Sequence, residues 1–175
     1  MHVNDAPVHI EMMATESGHI VAIATLDAER SLNSLTLAMV DLLLPQLSAW
    51  ASDERVVAVV LRGRGERAFC AGGDVRALTQ FARTGEGDAN YPLNFFAREY
   101  RLDYAIREFP KPLVVWGTGV VMGGGMGLLL GAPFRVVTET TRMAMPEITI
   151  GLYPDVGGSY YLSRLPGRVG LFMGL

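Results

Sequence analysis

The chain has 175 residues, 50% of them hydrophobic, with a mean hydropathy of +0.26, enough to bury one sizeable core as a single domain over 1–175. A net charge of −3, a single lysine at Lys111 and arginines spread without a cluster exclude nucleic acid as a partner. One cysteine, Cys70, excludes an intrachain disulfide, and His2, His9 and His19 are not spaced with acids or cysteine as metal ligands, so no metal is expected. Residues 1–11 show neither an apolar signal core nor an arginine-rich amphipathic pattern, which leaves the cytoplasm as the default compartment.

Val8 to Met13 and His19 to Leu26, separated by Thr15-Glu16-Ser17-Gly18, read as two strands of an opening hairpin. Thr36 caps a helix through Met39, Val40, Leu43, Leu44 and Leu47 to Trp50, kinked at Pro45. Val56 to Leu61 is a continuous run of the kind buried on both faces of a parallel sheet. Phe69-Cys70-Ala71-Gly72-Gly73-Asp74 then forms a glycine turn, with Asp74 as the N-cap of the next helix and Cys70 as a small buried residue. Arg83 to Asn90 reads as a surface loop able to act as a lid, and Leu93 to Phe109 as a helix ended by Pro110 and Pro112.

The uncharged stretch Leu113 to Phe134 is long enough to span a bilayer, but its seven glycines and Pro133 divide it into a strand, a glycine turn and a short buried helix, so no membrane is expected. Phe134 to Thr138 and Met143 to Met145 are further strands. Val156 to Leu165 is predicted as a helix after the Pro154-Asp155 turn, and the chain ends within a helical apolar stretch from Gly170. Strand, glycine turn and helix recur, which indicates an α/β fold with ligands at the carboxyl ends of strands.

Gly117-Thr118-Gly119 lacks the third glycine of a dinucleotide loop, since position 122 is Met122; no Gly-Lys-Ser/Thr follows the glycines, and Gly158-Ser159-Tyr160 is not a nucleophile elbow. What remains is two glycine turns whose bare N–H groups can converge on one polarised oxygen, followed by two carboxyls, Glu147 and Asp155. Such donors suit chemistry that places negative charge on a carbonyl oxygen.

Phe69-Cys70-Ala71-Gly72-Gly73-Asp74, Met122-Gly123-Gly124-Gly125, Met145-Pro146-Glu147 and Gly151-Leu152-Tyr153-Pro154-Asp155-Val156-Gly157-Gly158 together resemble the crotonase (enoyl-CoA hydratase/isomerase) superfamily, from about Val21 to Leu175. The resemblance implies a spiral of β-β-α units, a further helical part beyond Leu175, an acyl-CoA substrate with no separate cofactor, and a homo-oligomer in the full-length form. By position, Gly73 and Gly124 are the oxyanion donors. Arg30, Leu32, Ala71, Gly72, Asp74 and Gly123 fall where such proteins approach the substrate, Arg30 and Leu32 lying in the segment Glu29 to Thr36. Hydratases of this family place a first glutamate where this chain has Gly127.

With Glu147 present and Asp155 eight residues later, the pattern is similar to the family's 3-hydroxyisobutyryl-CoA hydrolases, thioesterases of valine breakdown. By that resemblance Glu147 attacks the thioester or activates a water, and Asp155 holds the substrate hydroxyl or assists proton transfer. Read from the residues alone, Asp155 equally well caps the helix that follows it. An enoyl-CoA hydratase/isomerase and a catalytically silent acyl-CoA-binding module are the alternatives. Met122, Met126, Met143 and Met145 could line an acyl pocket, although methionine more often fills core gaps.

Overall fold

Alternation of apolar residues from Val8 and a Ser17-Gly18 turn, with Gly18 at φ +82°, produce the hairpin of β1 (Val8–Ala14) and β2 (Ile20–Leu26). The computed structural model describes residues 6–174; His2 lies outside them. The crossover from β2 is α1 (Leu37–Ser52), whose Thr36 Oγ1 accepts from the Met39 N–H at 3.2 Å. Its buried positions, Met39, Val40, Leu43, Leu47 and Trp50, repeat at three and four residues, so one face meets the sheet. The helix continues through Pro45 to Ser52.

β3 (Val56–Gly63) returns parallel to β2, followed by β4 (Ala68–Cys70), α2 (Val75–Thr84), α3 (Tyr91–Arg107), β5 (Leu113–Gly117), β6 (Val120–Met122) and α4 (Gly124–Gly131). β7 (Phe134–Val137), β8 (Arg142–Ala144), α5 (Gly158–Leu162) and α6 (Val169–Gly174) complete the described residues. Five strands form a sheet in the order β1-β2-β3-β5-β7, parallel from β2 onwards, and three form a second parallel sheet, β4-β6-β8. After the opening hairpin, whose two strands both join the large sheet, each turn of the chain from β3 onward lays one strand in the large sheet and the next in the small one, which is the β-β-α spiral expected.

Two expectations are corrected. β3 is not buried on both faces: Val57 is 38% exposed, and Trp116 on the neighbouring β5 and Phe134 on β7 beyond it are open as well, so the large sheet carries exposed apolar side chains. The helix expected over Val156 to Leu165 is only α5, Gly158–Leu162. Val156 at φ +41° and Gly157 at φ +81° are both outside the helical region, so the turn cannot start at Val156.

Asn33 fastens the loop that precedes α1. Buried and at φ +54°, it accepts the Ala28 N–H on Oδ1 at 3.0 Å and donates through Nδ2 to the carbonyls of Arg64 at 3.0 Å and Ala68 at 2.8 Å. Of these three bonds from one buried amide, one closes the loop on itself and two tie it to the β3–β4 connection. No helix among the described residues is long and apolar enough to cross a membrane.

Candidate active site

All three strands of the small sheet deliver their following residues to one place. β4 leads into Ala71-Gly72-Gly73, β6 into Gly123-Gly124, and β8 into the short 3-10 turn Pro146–Ile150 that carries Glu147. These converge on a cavity of about 160 Å³ lined by Gly73, Gly124, Glu99, Glu147 and Asp155, together with Phe95 and other apolar side chains. Ala71, Gly72 and Gly123 also line it.

The first glycine turn is held from outside. Ala71 N donates to Leu32 O at 3.0 Å, Leu35 N to Gly72 O at 2.8 Å and Asp74 N to Leu35 O at 2.9 Å. That pattern engages the N–H on either side of Gly73 and Gly72, and it gives the Gly73 N–H itself no partner among the described residues. In the second turn Met126 and Gly127 donate to the Gly123 carbonyl, while the N–H of Gly124, first residue of α4, has no partner among the described residues, as helix geometry leads one to expect. A Cβ on Gly124 would lie 3.5 Å from Gly73 N and would overlap Glu99 Oε1, so the two turns and Glu99 share one small space that only glycine leaves open. Two fixed amide donors facing one cavity can stabilise a negative carbonyl oxygen.

Three carboxyls surround these donors. Glu147 is 6% exposed, its Oε2 has no hydrogen-bond partner among the described residues, and burial raises its pKa, with the charge of Asp155 adding to the shift. Glu99, on α3, is 2% exposed and pushed up to about 8, first by burial and then by the charges of Asp155 and Glu147. Asp155 accepts the Tyr100 hydroxyl on Oδ2 at 2.6 Å. It does not cap a helix: the residue before α5 is Gly157 and no side-chain cap is made there.

Glu99 stands in no motif that marks it in the sequence. Its signal is its place on the apolar stripe of α3, where Phe95, Leu102 and Ile106 are buried and Glu99 falls between them at helical spacing. A carboxyl on the buried face of a helix demands a reason, and here the reason is the cavity.

Other expected residues lie elsewhere. Asp74 does not line the cavity; it caps α2, accepting from the N–H groups of Arg76 at 3.0 Å and Ala77 at 3.3 Å. Arg30 is exposed, and neither it nor Leu32 lines the cavity, although the Leu32 carbonyl holds Ala71. Cys70 is fully buried, does not line the cavity, and has its thiol pushed up to about 12, chiefly by burial, in keeping with the small core residue expected. Met126 and Met145 are core residues, and no methionine lines the cavity.

Residues 21–175 match the family described as enoyl-CoA hydratase/isomerase. The chain is 45% identical over 165 residues to the mitochondrial 3-hydroxyisobutyryl-CoA hydrolase of Xenopus tropicalis, covering 94% of this chain and 42% of that protein. It is 43% identical over 176 residues to the same-named protein of Danio rerio, covering 96% and 45%. Among solved structures, a carnitinyl-CoA dehydratase from Mycobacterium thermoresistibile superposes with a TM-score of 0.87 at 45% identity, over 97% of this chain and 48% of that one. The chain therefore spans less than half the length of the curated relatives it matches. Their mitochondrial setting corrects the expected cytoplasmic location, which rested on the lack of a pattern in residues 1–11 and on no residue that positively indicates a compartment.

Proposed function

We propose that this chain, which belongs to the enoyl-CoA hydratase/isomerase family, forms the thioester-activating part of a CoA-thioester hydrolase of the 3-hydroxyisobutyryl-CoA type. The observation that carries the reading is the unpartnered carboxyl of Glu147 in the same cavity as the free N–H groups of Gly73 and Gly124. The thioester oxygen sits between the two amides, which take up the charge that develops when the carbonyl is attacked. Glu147 supplies the attack, either directly or by taking a proton from water. Asp155 meets the substrate hydroxyl or the moving proton. Likeness to the named hydrolases supports both the substrate and a mitochondrial setting.

A hydratase or dehydratase is the second reading, and Glu99 is what favours it. Gly127 removes one carboxyl from the place hydratases use, yet Glu99 brings another into the cavity beside Glu147, giving two acid/base groups. The dehydratase from M. thermoresistibile points the same way.

Thiol release from 3-hydroxyisobutyryl-CoA, measured beside loss of the enoyl thioester with crotonyl-CoA, separates the two. Thiol release without enoyl consumption is expected; the reverse outcome makes the protein a hydratase. Glu147→Gln should lower turnover by at least about 100-fold while leaving CoA-thioester binding in place. Undiminished turnover in that variant would remove Glu147 from its role. A single turnover in ¹⁸O water followed by mass analysis of the peptide containing Glu147 shows direct attack if the carboxyl is labelled, which happens when water opens the resulting anhydride at the glutamyl carbon. Trapping with hydroxylamine as a Glu147 hydroxamate detects an anhydride that water would open at the substrate carbon, and neither signal is expected from base catalysis.

A further inference from the structure

Asp155 belongs to two cavities. It lines the cavity of about 160 Å³ that holds the glycine donors, and also a second of about 390 Å³ on its far side, bounded by Tyr100, Arg107, Tyr153, Ser159 and Tyr161. The second cavity contains neither glycine donor nor Glu147, and Arg107, Tyr153 and Ser159 on its wall are exposed, so among the described residues it is open on that side. Its wall is rich in hydroxyl groups, which can hold a chain of waters.

Tyr100 fixes the boundary between the two. Its hydroxyl donates to Asp155 Oδ2 at 2.6 Å across a separation of 55 residues, joining α3 to the loop before α5. Burial, and then that bond, raise the Tyr100 pKa, which keeps the hydroxyl protonated as the donor. The bond occupies one oxygen of Asp155. Val156, the next residue, sits at φ +41°, a conformation a β-branched residue adopts only where its surroundings impose it. Asp155 is therefore gripped by its side chain and its backbone at once.

Hydrolysis makes a carrier of this kind useful. Water adds to the thioester carbon, the C–S bond breaks, and sulfur leaves as the thiol with one of the water protons. The new carboxylic acid ionises at neutral pH, so one proton per turnover must reach solvent. The two amide donors cannot accept it, and Glu147 must be returned to its starting form.

We propose that the second cavity is the outlet for this proton, with Asp155 as the group that passes it outward and Tyr100 as the positioning residue that holds Asp155 in the dividing wall. The inference rests on the hydrolase reading. It assigns the exposed side of Asp155 to waters, and the substrate to the other side. Glu99 and Asp103 from α3 also face this region; burial raises both, Glu99 to about 8, and neither Asp103 oxygen has a hydrogen-bond partner among the described residues, whereas Asp155 is joined to Tyr100.

Two variants test the outlet with the longest native form of the protein. Tyr100→Phe removes the grip on Asp155, and Ser159→Trp fills the cavity from an exposed position without touching the glycine donors. Each should lower kcat about tenfold with KM within about twofold of wild type. Raising the concentration of imidazole buffer should restore much of the loss, because a small diffusible base replaces the blocked route. A crystal structure of the Tyr100→Phe variant should show Asp155 turned from its position with the fold unchanged. Wild-type kcat in both variants, losses that imidazole does not relieve, or an unmoved Asp155 would overturn the proposal. Failure of the hydrolase reading looks different: the unaltered protein then releases no thiol, and with no proton to discharge the outlet falls too.

Discussion

Gly127 leaves no room for a side chain. A Cβ there would stand 2.5 Å from Val156 Cβ and 2.9 Å from Asp103 Oδ1. Gly127→Glu, the change that would supply the first glutamate of the hydratase pattern, should therefore fail to create crotonyl-CoA hydration and should lower the thermal midpoint, since the carboxyl cannot enter without displacing the Val156 segment. Parallel assays of enoyl consumption and thermal melting check both halves. Gly124→Ala, by contrast, should keep the fold while displacing Glu99 and narrowing the space around Gly73, with a fall in turnover of about 100-fold or more. Normal turnover in that variant would detach Gly124 from the reaction. The glycines, Glu147 and Asp155 were legible in the sequence because each stands in a short motif with its own turn chemistry. Glu99 was not, because a helix of Arg98-Glu99-Tyr100-Arg101 reads as charged and exposed until its spacing from Phe95 and Leu102 is set against a neighbouring cavity.

Among the elements, the helices with a polar cap and a long apolar stripe were the readable ones. Thr36 marked the start of α1 and Asp74 that of α2, in both cases by a side chain that accepts from the first-turn N–H groups. Asp74→Ala should cost about 1 kcal/mol of stability, measured as a lowered urea midpoint at unchanged slope. Because Asp74 also follows Gly73 directly, the same variant should loosen the first glycine turn and weaken turnover more than this modest loss of stability would. The strands of the small sheet were harder. β4, β6 and β8 are three residues each, too short for alternation to show, and their pairing depends on partners 50 or more residues away for β4 and β6. α5 was overextended for a local reason, the left-handed backbone at Val156 and Gly157, which no residue type at position 156 announces.

At the scale of the whole molecule, the site stores protons. Glu99 moves from an ordinary 4.5 up to about 8, and Glu147 and Asp103 are also raised, all primarily by burial. Below about pH 4.5 the folded and unfolded chains both hold the Glu99 proton. As the pH rises further the unfolded chain releases it while the folded one keeps it until about 8, so the unfolded state binds fewer protons and stability falls across that interval. Urea midpoints should accordingly decline from pH 5 to pH 8, and Glu99→Gln should flatten the decline. A midpoint that rises over this range would mean that the carboxyls are ionised and paired in the folded protein. The recurrence of strand, glycine turn and helix was legible in the residues and the β-β-α order only through the family resemblance; which strand joins which sheet needed the structure, because the short apolar runs of the two sheets look alike.

The two groups expected to receive the carbonyl oxygen are peptide N–H groups, and that has a consequence for how variation in the gene should be read. No single codon change deletes a main-chain amide except one to proline, so the electrophile-activating half of the site is shielded from loss by substitution in a way that Glu147 and Asp155 are not. Damaging alleles at Gly73 and Gly124 should act by crowding, graded with the size of the introduced side chain, whereas those at the carboxyls should be all or none even for near-isosteric changes. A catalogue of tolerated and harmful variants sorted by side-chain volume would separate the two halves of the site without any assay of the chemistry.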